Sequence, residues 1–294
     1  MLETSDYKSG QVRLLKMKKT IVFILAFALA ANTGFAQMHA KHRRSVELGG
    51  LLGVSYYIGD LNQTKQFLYS NPAGGLIFRY NFNPRLTWQF HGLFGKIEGH
   101  DSHSSSAYQV QRNLNFRSHV FEVGTQFEFN FYNYSIGNSK ERFTPYIFIG
   151  LGIFSFSPQG QLPNGHWVQL QPLHTEGEGM EGGKKKPYPL VQVSVPFGVG
   201  VKANLFGRFS IGLEWGMRKT FTDYLDDVHG KYYDKSKLDY TGAYFSDPSI
   251  GTDPNYSNVG RQRGTATNKD WYSFAGLTIT MKLDLNKEKC PTPF

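Results

Sequence analysis

The chain has 294 residues, 40% hydrophobic and 15% aromatic, with 32 Gly and 17 Tyr, a composition suited to one domain of many strands joined by tight turns. A mean hydropathy of -0.39 excludes a bundle of apolar spanning helices but not a barrel, whose alternating strands average to a neutral hydropathy. The formal charge of +9 suits anionic lipid headgroups or an acidic partner, and the single cysteine, Cys290, excludes an internal disulfide.

In chain order, the first feature is an apolar run. Lys18 and Lys19 precede a stretch of about a dozen apolar residues (20–31), followed by a small-residue exit at Gly34, Phe35 and Ala36. This is the pattern of a secretory signal peptide. Residues 1–16 read as an upstream extension, 17–36 as the signal with cleavage between Ala36 and Gln37, and 37–44 as a lead into the folded part. The residue directly after the cleavage site is Gln37 and not Cys, which argues against a lipoprotein. Removing residues 1–36 takes away five of the 32 basic and two of the 23 acidic residues, leaving a mature charge of +6. Nucleic acid is not an expected partner for an exported chain.

From Ser45 onward the pattern is strand after strand. The first, 46–57, sets Val46, Leu48, Leu52, Val54 and Tyr56 against Glu47, Gly49, Gly53 and Ser55. The second, 73–82, alternates Leu76, Phe78, Tyr80 and Phe82 with Ile77, Arg79 and Asn81, before a turn at Asn83 and Pro84. The third, 85–97, sets Leu86, Trp88, Phe90 and Phe94 against Thr87, Gln89 and His91. The fourth, 117–131, separates its two faces most cleanly: Phe121, Val123, Phe127, Phe129 and Phe131 on one, Glu122, Gly124, Gln126, Glu128 and Asn130 on the other. Its length, about 15 residues against a usual five or six, suits a tilted bilayer crossing. The fifth, 143–156, is apolar or Gly on both faces, so periodicity does not tell its inside from its outside. The sixth, 190–204, points five Val and Phe197 outward, with Gln192, Ser194, Lys202 and Asn204 inward. The seventh, 208–220, sets Phe209, Ile211, Leu213, Trp215 and Met217 against Ser210, Glu214 and Arg218. The last, 271–285, sets Leu277, Ile279, Met281 and Leu283 against Thr278, Thr280, Lys282 and Asp284.

Eight strands make the smallest common closed barrel, so the pattern predicts an all-β, eight-stranded antiparallel transmembrane barrel over 45–285. Connections after strands two, four and six are short. Those after one, three, five and seven (58–72, 98–115, 157–189 and 221–270) are long, which predicts outward loops, periplasmic turns and both termini periplasmic. The third long loop, rich in Gly, Pro and charge, is expected to be mobile. Pro291 and Pro293 bar the last residues from a sheet, leaving 286–294 as a periplasmic tail.

The inward charges, Glu47, Arg79, Glu122, Glu128, Lys202, Glu214, Arg218, Lys282 and Asp284, are nearly balanced. They predict a polar network plugging the lumen, with a gated ion path as the alternative. His100, Asp101, Ser102 and His103 in the second long loop invite thought of catalysis, but four adjacent residues do not converge like a triad, so no catalytic residue is expected. His119 is placed near the outer rim as an interfacial side chain. Asp223, Asp226, Asp227 and Asp234 are weak candidates for Ca²⁺, without the spacing of an EF-hand loop. A rim loop ordered by Tyr and Asp hydrogen bonds is the plainer reading of Thr222, Asp223, Tyr224, Asp226, Asp227, Tyr232, Tyr233 and Asp234. No cofactor is expected, because G-L-G and G-V-G lie inside strands.

Three stretches carry a resemblance: E-L-G-G-L-L-G-V-S-Y-Y-I-G-D-L-N (47–62), R-F-T-P-Y-I-F-I-G-L-G (142–152) and E-W-G-M-R-K-T-F-T-D-Y-L-D-D-V (214–228). With the strand order, the chain resembles the PorG-like outer-membrane β-barrels of the Bacteroidota type IX secretion system, within the eight-stranded OmpA-like superfamily. The resemblance implies a non-enzymatic outer-membrane component. It would sit among outer-membrane lipid and lipopolysaccharide and contact a periplasmic ring of a PorK-like lipoprotein and a PorN-like protein. With the loops outward, that contact would use the turns at 81–85, 132–142 and 204–207, or the tail.

Overall fold

The computed structural model describes residues 44–63, 65–183, 186–250 and 257–283. The expected signal segment, the Ala36–Gln37 cleavage pair, Asp284 and the tail lie outside the described residues. Among the described residues nine strands run in chain order: β1 (Ser45–Ile58), β2 (Asn71–Asn81), β3 (Leu86–His100), β4 (Asn115–Asn130), β5 (Phe143–Gln161), β6 (Trp167–Gln169), β7 (Val191–Phe206), β8 (Phe209–Thr220) and β9 (Trp271–Leu283). Two short helices, α1 (Ala107–Arg112) and α2 (Tyr240–Ser246), lie in the second and fourth long loops.

Each of the eight long strands pairs antiparallel with its neighbours, β1 pairs with β9, and β4 with β5, so the sheet closes on itself. The eighth wall strand is thus β9, because β6 is a three-residue addition that pairs only with the end of β5. Closure leaves no free sheet edge in the wall, which removes the usual liability of exposed strand edges.

Period-two alternation decides what each strand shows to which side. On β4 every second residue from Phe116 to Asn130 is buried, while Phe121, Val123, Phe127 and Phe129 are exposed. On β5 the aromatic set Tyr146, Phe148, Phe154 and Phe156 turns inward, and Ile147, Ile149, Leu151 and Ile153 turn outward. A neighbour's register resolves the face that β5's own composition left open: Glu122 faces Phe154 and Glu128 faces Phe148 across the β4 pairing, so these inward carboxylates share a face with inward rings. The outward residues form an apolar wall in which Leu52 and Leu76 are each 71% exposed. No helix among the described residues is long and apolar enough to cross a membrane, which bears on helical spans alone.

Three expectations are corrected. The strands β3 and β5 run past their expected ends to His100 and Gln161, because β4 and β6 continue to supply backbone partners beyond the apolar wall. The turn expected at 205–207 shrinks, because β7 reaches Phe206 and pairs it with Phe209. The third long loop, expected to be mobile, is packed: Leu170 and Tyr188 enter the apolar core, and Thr175, Glu176 and Glu178 are buried. Its glycines serve tight turns, with Gly177, Gly179 and Gly182 all at positive φ.

The seam between β1 and β9 depends on close backbone approach. A Cβ at Gly53 would meet the Ala275 carbonyl oxygen at 2.0 Å and the Gly276 Cα at 2.4 Å. Both are backbone atoms with no rotamer to yield. Gly53→Val is therefore expected to destabilise the barrel by about 1–3 kcal/mol or more, as overpacking does. A weakened or missing heat-modifiable band on a semi-native gel would register it, whereas Gly92→Val, with nothing within 4 Å of its Cβ, leaves the band intact.

Candidate functional site

The lumen is filled by two polar layers. Nearest the turn end, Arg79 donates through Nε to Glu128 Oε1 and Gln89 Oε1, both at 2.8 Å, and its guanidinium lies 3.6 Å from Glu214 and 4.0 Å from Glu47. Glu128 also receives Lys202 Nζ at 2.7 Å, and Tyr146 donates to Glu214 at 2.8 Å. Lys202 sits over the Tyr146 and Tyr134 rings at 4.9 and 5.2 Å, so aromatic faces supply part of its solvation. Glu47 accepts from Asn81 and Thr280.

The second layer gathers on Glu122. Its carboxylate receives Tyr272 at 2.5 Å, His91 Nε2 at 3.0 Å, Arg218 Nε at 3.3 Å and Ser194 at 3.3 Å. Gly124 makes room for the His91 ring, because a Cβ there would lie 2.6 Å from His91 Nε2. Arg218 also lies 4.9 Å from the Phe274 ring centroid. Lys282 stands apart, half-buried at the turn end and donating to the Ile136 carbonyl at 3.3 Å.

Both ends of the lumen are closed by the chain itself. At the turn end, Tyr134 and Ile136 fold inward from the β4–β5 connection, and Tyr134 donates to Ser210 at 2.5 Å. At the loop end, Leu61, Leu114, Leu170, Tyr188, Tyr224, Leu225, Val228 and Phe245, drawn from all four long loops, join one apolar cluster with Phe116, Phe154 and Phe274 of the wall.

Two buried arginines knit this cap. Arg112 makes a two-pronged contact with Asp101 at 2.7 and 2.8 Å and donates to the Arg263 carbonyl at 2.6 Å. Arg263 in turn binds Glu176 at 3.0 Å and the Asp227 carbonyl at 2.6 Å. Asp227, at φ 65° in the left-handed region, accepts Thr175 at 2.5 Å and Tyr188 at 2.6 Å. Tyr57 donates to Asp226 at 2.5 Å and lies 3.1 Å from Asp270. Burial, and the charges of Asp60 on Asp226 and of Asp226 on Asp270, push both carboxyls well above the usual range.

The four aspartates weighed for Ca²⁺ are not brought together. Asp223 receives His229 Nδ1 at 2.6 Å, Asp226 and Asp227 are committed to Tyr57, Thr175 and Tyr188, and Asp234 stands apart, its side chain accepting the Ser236 amide to cap the turn Lys235–Lys237. Among the described residues no group of three or more His, Cys, Asp or Glu is set to hold a metal ion. The rest of that motif is structural too. Thr222 Oγ1 accepts the Tyr224 amide, Tyr232 is buried, and Tyr233 donates to the Glu181 carbonyl. In the second loop Asp101 serves Arg112, Ser102 touches only its neighbour His103 at 3.4 Å, and His100 and His103 lie around the Tyr69 ring. His119 is exposed on the wall, stacked on Phe94.

Residues 18–171 match the family described as Domain of unknown function (DUF6089). The chain belongs to this family. No curated protein matches it. Among solved structures, Neisserial surface protein A (NspA) is 8% identical, with 82% of this chain and 97% of that one covered and a TM-score of 0.37. The N-terminal β-barrel domain of Pseudomonas aeruginosa OprF is 10% identical, with 81% and 97% covered and a TM-score of 0.36. Ail of Yersinia pestis, in complex with the heparin analogue sucrose octasulfate, is 12% identical, with 82% and 97% covered and a TM-score of 0.34. Likeness at that level says nothing of function in this DUF6089 chain.

Sequence reading missed Asp60, Arg112, Glu176, Arg263 and Asp270. Each lies in a long loop without period-two alternation, so its neighbours in sequence give no sign of which way it faces.

Two outcomes follow from these contacts. Arg79→Leu leaves Glu128, Glu214 and Glu47 without their shared cation, and removing one partner of a buried pair costs about 3–5 kcal/mol. The variant's urea midpoint should fall accordingly, and Arg79→Lys should recover only a fraction of the loss. Asp227 gives a pH dependence: burial, reinforced by Glu178 and opposed by Arg263, pushes its carboxyl from 3.8 up to about 7. The folded chain therefore holds a proton that the unfolded chain has released. That stabilisation is complete below the unfolded value and is lost as pH rises through 7. Hydrogen exchange at Val228 and His229, corrected for intrinsic rate, should show a looser cap at pH 8 than at pH 5.5, and Asp227→Asn should flatten the difference.

Proposed function

We propose that this chain is a non-enzymatic barrel of the bacterial outer membrane that serves protein secretion as an anchor, without conducting anything itself. The observation that carries the reading is the lumen, filled by paired charges and closed at both ends by the chain's own side chains. A gated ion path would have to break Arg79–Glu128 and Arg218–Glu122 together. The exposed apolar wall supports burial in lipid, with long loops outward and short turns and both termini in the periplasm.

Within that frame the finer reading is a component of the type IX secretion system that contacts a ring of a PorK-like lipoprotein and a PorN-like protein. It rests on the PorG-like stretches at 47–62, 142–152 and 214–228. The turn at 132–142 supports it physically: Tyr134 and Ile136 root the turn in the lumen, while Lys140 and Arg142 stay exposed. A rooted turn presents its charges at low entropic cost. The knitted cap favours a second reading, a tether or adhesion protein that offers its loop surface to an outside partner. A lipid A-modifying enzyme finds no support, because the His100–His103 stretch has no long-range catalytic partner among the described residues.

Mass spectrometry of what co-purifies with the tagged, gently solubilised protein tests the reading. Stoichiometric recovery of the two ring proteins is expected. Lys140→Glu with Arg142→Glu should reduce it severalfold, while Tyr240→Ala, at the loop end and 92% exposed, should not. Recovery of the barrel with lipid alone would sink the secretion role and leave the barrel standing.

A further inference from the structure

Beside the cap, at the loop end of the wall, a cleft of about 290 Å³ opens where the third and fourth loops meet β7. Its size is near the lower bound of roughly 300 Å³ for small-ligand clefts. Lys186, Lys269, His229, Asp223 and Gln192 supply its polar lining, and Phe221 contributes to its wall. The cleft sits against the apolar wall: Val191 and Phe221 are 60% and 56% exposed beside it.

Its chemistry is mixed, and several of its polar groups keep hydrogen-bonding capacity that the chain does not fill, although Gln192 already donates to the Pro189 carbonyl at 3.2 Å. Lys186 faces no carboxylate within ion-pair distance among the described residues, and Lys269 donates only to the Ala266 carbonyl at 3.3 Å. His229 is held from two sides, by Asp223 Oδ2 on Nδ1 and by the Tyr224 ring stacked 5.0 Å away, which leaves Nε2 without a partner. The other oxygen of the same carboxylate, Asp223 Oδ1, is buried with no hydrogen-bond partner, although Asp223 is only 2% exposed. A buried acceptor left without a donor is costly, so it signals a missing partner.

We infer that this cleft binds the phosphorylated sugar of an outer-leaflet glycolipid headgroup, an inference that rests on the outer-membrane reading above. Phosphate oxygens meet Lys186 and Lys269, which offer charge-assisted donors, and a ligand hydroxyl donates to His229 Nε2, since Nδ1 gives its proton to Asp223. A neighbouring sugar hydroxyl donates to Asp223 Oδ1. The acyl chains then run down the apolar wall past Val191 and Phe221. A simple anion would leave Asp223 Oδ1 unmatched and meet a carboxylate, and a simple cation would meet two lysines. A ligand that carries both phosphate and hydroxyl groups satisfies the whole lining.

The test is native mass spectrometry of the purified full chain in detergent. Its probes are a synthetic bisphosphorylated diglucosamine glycolipid, the same glycolipid without phosphates, and soluble glucosamine 1-phosphate. The wild type is expected to retain the phosphorylated glycolipid about tenfold or more over the dephosphorylated one, the scale of one charge-assisted hydrogen bond. Lys186→Ala with Lys269→Ala should erase that preference, and His229→Gln should lower retention of both glycolipids. Both lysines are at the surface, so these variants keep the heat-modifiable band. Equal retention of the two glycolipids, or a preference the double variant leaves unchanged, overturns the inference. Binding of glucosamine 1-phosphate as tight as that of the glycolipid overturns the lipid source. A chain that keeps the heat-modifiable band and ignores phosphate fails here alone, whereas a chain with no heat-modifiable band fails the outer-membrane reading as well.

Discussion

An eight-stranded wall closed on itself encloses a space too narrow for a channel and too wide to leave empty, and this constraint governs the molecule. Its alternating strands place polar side chains on the inner face, where each unpaired charge carries a heavy desolvation cost. Arg79 meets that constraint for the turn-end layer, since one guanidinium serves Glu128, Gln89, Glu214 and Glu47. Glu122 has the inverse role in the second layer, as a single carboxylate that collects Tyr272, His91, Arg218 and Ser194. Such networks fix register as well as fill volume. Slipping any wall strand by one residue would send its charges to the apolar side.

The cap extends the same logic into the loops. Eight buried carboxylates, those of Asp60, Asp101, Glu176, Glu178, Asp223, Asp226, Asp227 and Asp270, face two buried guanidiniums, those of Arg112 and Arg263. The imbalance is relieved by hydroxyls and amides, with Tyr57, Thr175 and Tyr188 donating to carboxylates and Glu176 receiving the amides of His229 and Gly230. Burial also pushes the carboxyls of Asp226, Asp227 and Asp270 upward, which favours their neutral forms over unpaired charge. Four long loops thus become one ordered surface, and stretches distant in sequence meet there. Tyr57 of the first PorG-like stretch bonds Asp226 of the third.

Among the described residues the interior is occupied by paired charges, and the two ends of the barrel differ in character. The turn end is compact and rooted by Tyr134 and Ile136. The loop end is broad and knitted, with a polar cleft at its edge against the wall.

Much of the fold was legible in the amino-acid order, because a strand's side chains alternate with period two whatever its neighbours are. That is why the eight wall strands, their outward faces on β1 to β4 and β7 to β9, and the alternation of short and long links could be read directly. The inward charges could be named for the same reason. Their partners could not, since Arg79 and Glu128 are 49 residues apart and only closure of the sheet brings them together. The faces of β5 also waited for tertiary structure: with apolar residues on both sides, only pairing with Glu122 and Glu128 chose between them. The loops were least legible. Composition marks 157–189 as mobile, but burial of Leu170, Thr175 and Tyr188 against distant elements orders it, and the acidic motif that suggested a cation proved to be occupied by Tyr57, Thr175, Tyr188 and His229. Local pattern determined the wall because strand geometry is local, whereas cap and cleft are made of contacts between loops and exist only once the barrel has closed.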